Sequence, residues 1–272
     1  MRLPGFLFGF AVLLWFTVTQ ARAEQIAIRE PDGVVLHAEL FRPATGIPAA
    51  PSVVALHGCG GAYPSRDRQW TELLTRTGHA VLFPDSFGSR GLGPQCHVHD
   101  RIRGYMAKRR EDVLAAAQWL AAQDWTPKGG VVLLGWSNGA STVLRAGQVA
   151  SDLPAGLLRG LVALYPGCSF AAHSAQWHPA APLLILIGDS DDWTPAAPCQ
   201  ELAMHVRTGV TLVTYPGAYH DFDVSRSVRV LHGMAYSQNA DGSVHAGGDP
   251  KARADTLARV PAFIASLSPA TP

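Results

Sequence analysis

Short apolar runs bounded by turn residues alternate along the chain with stretches of helical spacing. The runs QIAIRE (25–30), VVLHAELF (34–41), SVVALHG (52–58) and HAVLFPD (79–85) are predicted strands. So are VVLLGW (131–136), LVALYP (161–166), LLILIG (183–188) and TLVTYP (211–216). PDGV joins the first two as a hairpin signal. The later runs are continuously apolar rather than alternating, as strands buried on both faces of a parallel sheet must be. Helical spacing fills the gaps at 66–77, 105–123, 139–150, 196–207 and 251–267. Such alternation predicts an α/β fold, a mostly parallel eight-stranded sheet with helices on both faces. Ligands of these sheets bind at the carboxyl ends of the strands, so site residues must follow strands, never precede them.

The first residues break this pattern. Arg2, the apolar stretch Leu3–Val18 and Ala21-Arg22-Ala23 read as a secretory signal peptide over 1–23; the rival reading is an uncleaved membrane anchor, for which the apolar run is short. Residues 24–272 are then expected to form one domain, with no stable membrane span after cleavage. The protein is expected to be exported, to a periplasmic or extracellular location. Charge adds an exclusion: 22 basic against 21 acidic residues give +1, without blocks, which argues against nucleic-acid partners. The four cysteines, an even number in an exported chain, imply two disulfides.

Chemistry enters at Gly135-Trp136-Ser137-Asn138-Gly139, a G-x-S-x-G pattern at a strand-to-helix junction. The glycines answer a steric demand: the serine sits on a tight turn, and strand and helix crowd the positions two before and two after. A serine needs a base, and the base an orienting acid. The seventh predicted strand ends in IGDSDDWTP and the eighth leads to YPGAYHDFD. Acid and His220 therefore follow strand ends, in the order serine, acid, histidine.

LHGCGG (56–61), PDSFGSRG (84–91), GWSNG (135–139), GDSDDWTP (188–195) and AYHDF (218–222) together resemble the dienelactone hydrolase family of α/β-hydrolases. The resemblance implies the α/β-hydrolase fold and hydrolytic chemistry without a cofactor. It points to Asp191 as the acid, with Asp189 and Asp192 as runners-up, and to His220 as the base. The best-known members use a cysteine nucleophile where this chain has Ser137, so hydrolysis of carboxylic esters or lactones through an acyl-enzyme is expected, not activity on dienelactones. Oxyanion donors are expected at the amides of Asn138 and of Cys59, with Gly60 the alternative. His57 is expected to be structural.

In the usual sheet of this fold the loops carrying Cys59 and Cys96, and those carrying Cys168 and Cys199, are neighbours, which implies those two pairings. CHVHD (96–100) offers His97, His99 and Asp100 to a metal, but its cysteine has a partner and no further cluster is spaced to help, so no metal is expected. In the resembled family an arginine after the fourth strand helps hold a substrate carboxylate, which points to Arg90, with a displaced Arg226 after the base. Trp136, Tyr165, Trp193 and Phe87 follow strand ends and are candidates to line an apolar pocket. No long insertion separates the sixth and seventh strands, so no large lid is expected; the longest irregular stretch, 224–250, is free to fold over the mouth. The rival enzymatic readings are a serine peptidase or thioesterase with the same triad. From another class, a ligand-binding protein that retains the fold without catalysis is the alternative.

Overall fold

A computed structural model describes residues 23–99, 105–206 and 208–268. Residues 1–22 of the expected signal segment 1–23, and Asp100, lie outside them. Eight strands form the main sheet: β1 (Glu24–Arg29), β2 (Val35–Phe41), β3 (Val53–Leu56), β4 (Val81–Pro84), β5 (Val131–Trp136), β6 (Leu158–Leu164), β7 (Leu183–Gly188) and β8 (Val210–Tyr215). Their order is β1-β2-β4-β3-β5-β6-β7-β8. The β1–β2 and β2–β4 pairs are antiparallel; every other neighbouring pair is parallel. This is the α/β-hydrolase fold.

Burial follows the pattern of the runs. Every residue of β3, β5 and β7 is buried, whereas β2 alternates, with Leu36, Ala38 and Leu40 buried and His37 and Glu39 exposed. The helices are α1 (Pro64–Arg76), α2 (Tyr105–Ala121), α3 (Asn138–Ala146), the single turn α4 (Ser169–Ala172), α5 (Ala196–His205) and α6 (Pro250–Ser266). Gly135 backs onto α3, since a Cβ there would lie 2.5 Å from the Gly139 carbonyl. Trp136, the next residue, points to the opposite face and meets Trp70 of α1 at 5.7 Å. Helices therefore cover both faces. The side chains of Gln69 and Arg253 tie α1 to α6.

The segment 224–250 is less irregular than its composition implies. It carries a two-stranded ribbon, β9 (Arg229–Leu231) against β10 (Val244–Ala246). Three-residue strands fall below what alternation can signal.

Cys59 is bonded to Cys96 and Cys168 to Cys199, across 37 and 31 residues. The second bridge joins the start of α4 to α5. On chain entropy it contributes about 3–4 kcal/mol. Replacing Cys168 and Cys199 together by serine is expected to lower unfolding free energy by about that amount. Urea unfolding checks this; an unchanged midpoint would contradict it.

Candidate active site

The loops at the carboxyl ends of β3, β5, β7 and β8 converge on Ser137. The serine has φ 55° and ψ −118°, a conformation L-residues rarely hold. What over-determines it is the fit of its neighbours. A Cβ on Gly139 would stand 2.1 Å from the Leu56 carbonyl oxygen and 2.6 Å from that of His57, and one on Gly135 would strike the first turn of α3. Backbone touches backbone on both sides, so only glycine fits at either position.

Ser137 Oγ lies 2.8 Å from His220 Nε2, and His220 Nδ1 lies 2.8 Å from Asp191 Oδ2. Asp191 is fixed in turn: its Oδ1 accepts from the amides of Trp193 and Thr194, and its Oδ2 from the Thr194 hydroxyl. All three of Ser137, Asp191 and His220 are buried. Burial disfavours the imidazolium, but the Asp191 carboxylate outweighs it and raises the His220 pKa above its ordinary value, with Asp221 and Asp223 adding to the effect. The runners-up serve turns and loops. Asp189 accepts from the Gly217 amide, while Asp192 holds the amide and ring of His245 and the side chain of Asn239.

Two N–H groups are candidates to meet an oxyanion. Asn138 opens α3 directly after the N-capping serine, so its amide has no partner one turn back in the helix. Cys59 lies inside the tight Gly58–Gly61 turn, closed by Gly61 N donating to Gly58 O. Buried Arg109 of α2 fastens these segments together: one guanidinium nitrogen donates to the Asn138 side-chain oxygen, the other to the His57 carbonyl at 2.9 Å. His57 is itself buried, with Nδ1 donating to the Gly58 carbonyl.

Beneath His220 lies Asp223, fully buried. It accepts from the Trp70 indole (2.8 Å), the Trp136 indole (3.1 Å) and the Tyr165 hydroxyl (2.7 Å). Neither Asp223 nor Arg109 was singled out from sequence. A buried carboxylate three residues after the base carries no motif, and an arginine on an amphipathic helix reads as a solvated one.

A cavity of about 320 Å³ opens beside Ser137 and His220. Trp193 lines it, with Met234, Leu231 and three arginines, Arg66, Arg226 and Arg229. The strap 224–250 supplies much of this wall and is pinned by Ala235, whose amide donates to the Cys96 carbonyl and whose carbonyl accepts from the Trp193 indole.

The other expected lining residues lie elsewhere. Arg90 is absent from the cavity, because two buried carboxylates claim it: its Nη2 stands 2.7 Å from both Glu30 and Asp112. Trp136 is fully buried on the α1 face and donates to Asp223. Tyr165 and Phe87 are buried too, packed against His220 and His57 respectively.

With this geometry in view, the comparisons with known proteins decide the family. The model of the dienelactone hydrolase family matches residues 36–267. The chain belongs to that family. As a member it is a hydrolase of ester bonds in small-molecule substrates. No curated relative matches the sequence. Among solved structures, a putative dienelactone hydrolase from Klebsiella pneumoniae superposes with TM-score 0.68 at 17% identity, over 91% of this chain and 100% of its own. A dienelactone hydrolase-like promiscuous phosphotriesterase from metagenomic libraries gives 0.68 at 18%, over 91% and 99%. Esterase 2 of Thermogutta terrifontis gives 0.63 at 18%, over 92% and 96%. At these identities the likeness is one of fold.

The Asp223 network yields a test on the base. Asp223→Asn removes a negative charge that raises the His220 pKa, and presents N–H donors to indole donors. A free base is the active form, so rate falls as pH drops through its pKa. The acidic limb of kcat/KM is expected to move to lower pH in the variant, with kcat reduced about tenfold or more. A pH–rate profile checks this.

Proposed function

We propose that the chain is an exported serine esterase that cleaves carboxylic esters or lactones through an acyl-enzyme. The observation that carries this reading is the relay Ser137 Oγ–His220 Nε2 and His220 Nδ1–Asp191 Oδ2, 2.8 Å at each link, facing a cavity of about 320 Å³. Ser137 Oγ attacks the acyl carbon while His220 Nε2 takes its proton. Asp191 holds the Nδ1–H tautomer and stabilises the imidazolium. The amides of Cys59 and Asn138 receive the oxyanion, and loss of one such donor costs about 3–4 kcal/mol of transition-state stabilisation. The alcohol leaves with the His220 proton. Water then attacks the acyl-enzyme, His220 again accepting a proton; the acyl–Oγ bond breaks, His220 returns that proton to Ser137 Oγ, and the carboxylic acid departs.

Two disulfides and the apolar segment before residue 24 support export to the periplasm or outside the cell. The cavity's arginines support an anionic ester as the preferred substrate, in the role first expected of Arg90. Arg226 donates to Asp221, yet its buried Nε has no partner; Arg66 Nη2 has no hydrogen bond, while its Nε faces Asp67 Oδ1 at 3.5 Å. Tyr63 lies between the two guanidinium groups, 5.1 Å from one and 5.0 Å from the other.

Fluorophosphonate labelling tests the nucleophile. The native chain is expected to label and Ser137→Ala not to, with kcat/KM on p-nitrophenyl acetate falling by about four orders of magnitude. An unlabelled native chain would favour a binding protein instead. For specificity, Arg226→Gln is expected to raise KM for a monoanionic ester about tenfold and to spare a neutral ester of equal size. Equal changes for both esters would end the anionic-substrate reading.

A further inference from the structure

A larger cavity, about 830 Å³, lies away from Ser137, between α1 and the outer strands β1, β2 and β4. Its apolar portion is formed by Ala38, Ala55 and the edge-to-face pair Phe41–Phe83, ring centres 6.0 Å apart. Its charged lining is predominantly acidic: Glu39, Asp67, Glu72 and Asp85 against Arg68 and Arg76.

The floor holds polar atoms with unused capacity. His57 and Thr71 are 5% and 6% exposed, both line the cavity, and neither His57 Nε2 nor Thr71 Oγ1 has a hydrogen-bond partner. His57 Nδ1 must be the protonated nitrogen, since its partner is the Gly58 carbonyl, so Nε2 is a bare acceptor. Burial, with Arg109 adding, lowers the ring pKa to about 3 and keeps it so. Asp85 Oδ1 stands 3.9 Å from that nitrogen. Asp67 Oδ1 also accepts no hydrogen bond, the nearest cation being Arg66 Nε at 3.5 Å. Buried polar atoms left unpaired are costly and ordinarily find partners. Here they comprise acceptors and a hydroxyl, surrounded by carboxylates and bordered by aromatic rings. A donor-rich cation with an apolar body complements every one of these features.

We propose that this groove is a second ligand site, for a small protonated amine with an apolar body, whose ammonium group donates towards His57 Nε2, Thr71 Oγ1 and the carboxylates of Asp67 and Asp85. The cavity volume lies within the range of small-molecule sites. The site is independent of the ester chemistry, because none of these four side chains belongs to the relay at Ser137.

Calorimetric titration of the native chain with benzylammonium tests it, with benzyl alcohol as the neutral counterpart. Saturable binding of the cation is expected, about tenfold tighter than the alcohol. Asp85→Asn neutralises one wall yet keeps the side-chain oxygen that accepts from the Phe87 and Gly88 amides, so the turn persists. It is expected to weaken binding about tenfold, and Thr71→Val about threefold. Arg226→Gln, in the cavity beside Ser137, is expected to leave the affinity unchanged. No saturable binding, equal affinity for the alcohol, full affinity in both groove variants, or loss in Arg226→Gln would each overturn the proposal. Ester hydrolysis is not read in any arm, so failure here is distinguishable from failure of the esterase reading.

Discussion

A single carboxylate without solvent contact, Asp223, organises the floor of the active site. A charge of this kind is tolerated only where hydrogen bonds replace its hydration. Its three donors come from three different places: Trp70 on α1, Trp136 beside Ser137, and Tyr165 just after β6. Satisfying one carboxylate therefore fixes a helix against the sheet, the strand end that carries Ser137, and the aromatic ring that packs 4.6 Å from His220. Because Asp223 is three residues from His220, the same requirement anchors the base loop. The guanidinium of Arg66, whose positive charge opposes the rise in the Asp223 pKa caused by burial, sits 4.7 Å from the Trp136 ring. Trp136 and Tyr165, expected to line a pocket, are thus turned inwards by a polar demand, while Phe87 packs on His57, and only Trp193 of the four reaches the cavity.

Above this floor the walls are held by covalent and polar ties rather than by a large lid. The Cys59–Cys96 bridge joins the turn after β3 to the loop after β4, and both cysteines line the cavity. The loop then holds the strap, through the Cys96 carbonyl and through His97, whose ring donates to the Gly233 carbonyl. Asp192 secures the other side of the strap by its bonds to His245 and Asn239. Its neighbour Asp191 bonds to His220 instead. Adjacent carboxylates in one turn thus divide between orienting a histidine and fastening the cavity wall.

Much of this was legible in the sequence because it rests on local physics. The run VVLLG needs burial on both faces, and Gly135 and Gly139 leave room for close backbone approach; both are properties of a dozen consecutive residues. The order of serine, acid and histidine was readable because each follows a strand end. What escaped depends on contacts between distant segments. Arg90 has the right residue type after the right strand, yet Glu30 and Asp112, 60 and 22 positions away, capture it. Arg66 and Arg226 take its position at the cavity from a helix and from the strap. The ribbon of β9 and β10 is too short for a periodic signal, and Asp223 looks like any acid in a polar stretch until its donors are known.

The same distinction bears on the proposed oxyanion donors. Two amides stabilise one developing charge only if both lie near 3 Å from the same oxygen, so their relative position matters more than either position alone. One belongs to the Gly58–Gly61 turn and the other to the start of α3, segments almost 80 residues apart. Contact between Gly139 and the carbonyls of Leu56 and His57 sets their separation sterically, and Arg109 sets their orientation by bonding to His57 O and the Asn138 side chain at once. Steric contact limits approach but not sliding; a guanidinium with two directed bonds limits sliding as well. An arginine outside the proposed Ser137–His220–Asp191 relay thereby governs the relative position of the two proposed donors.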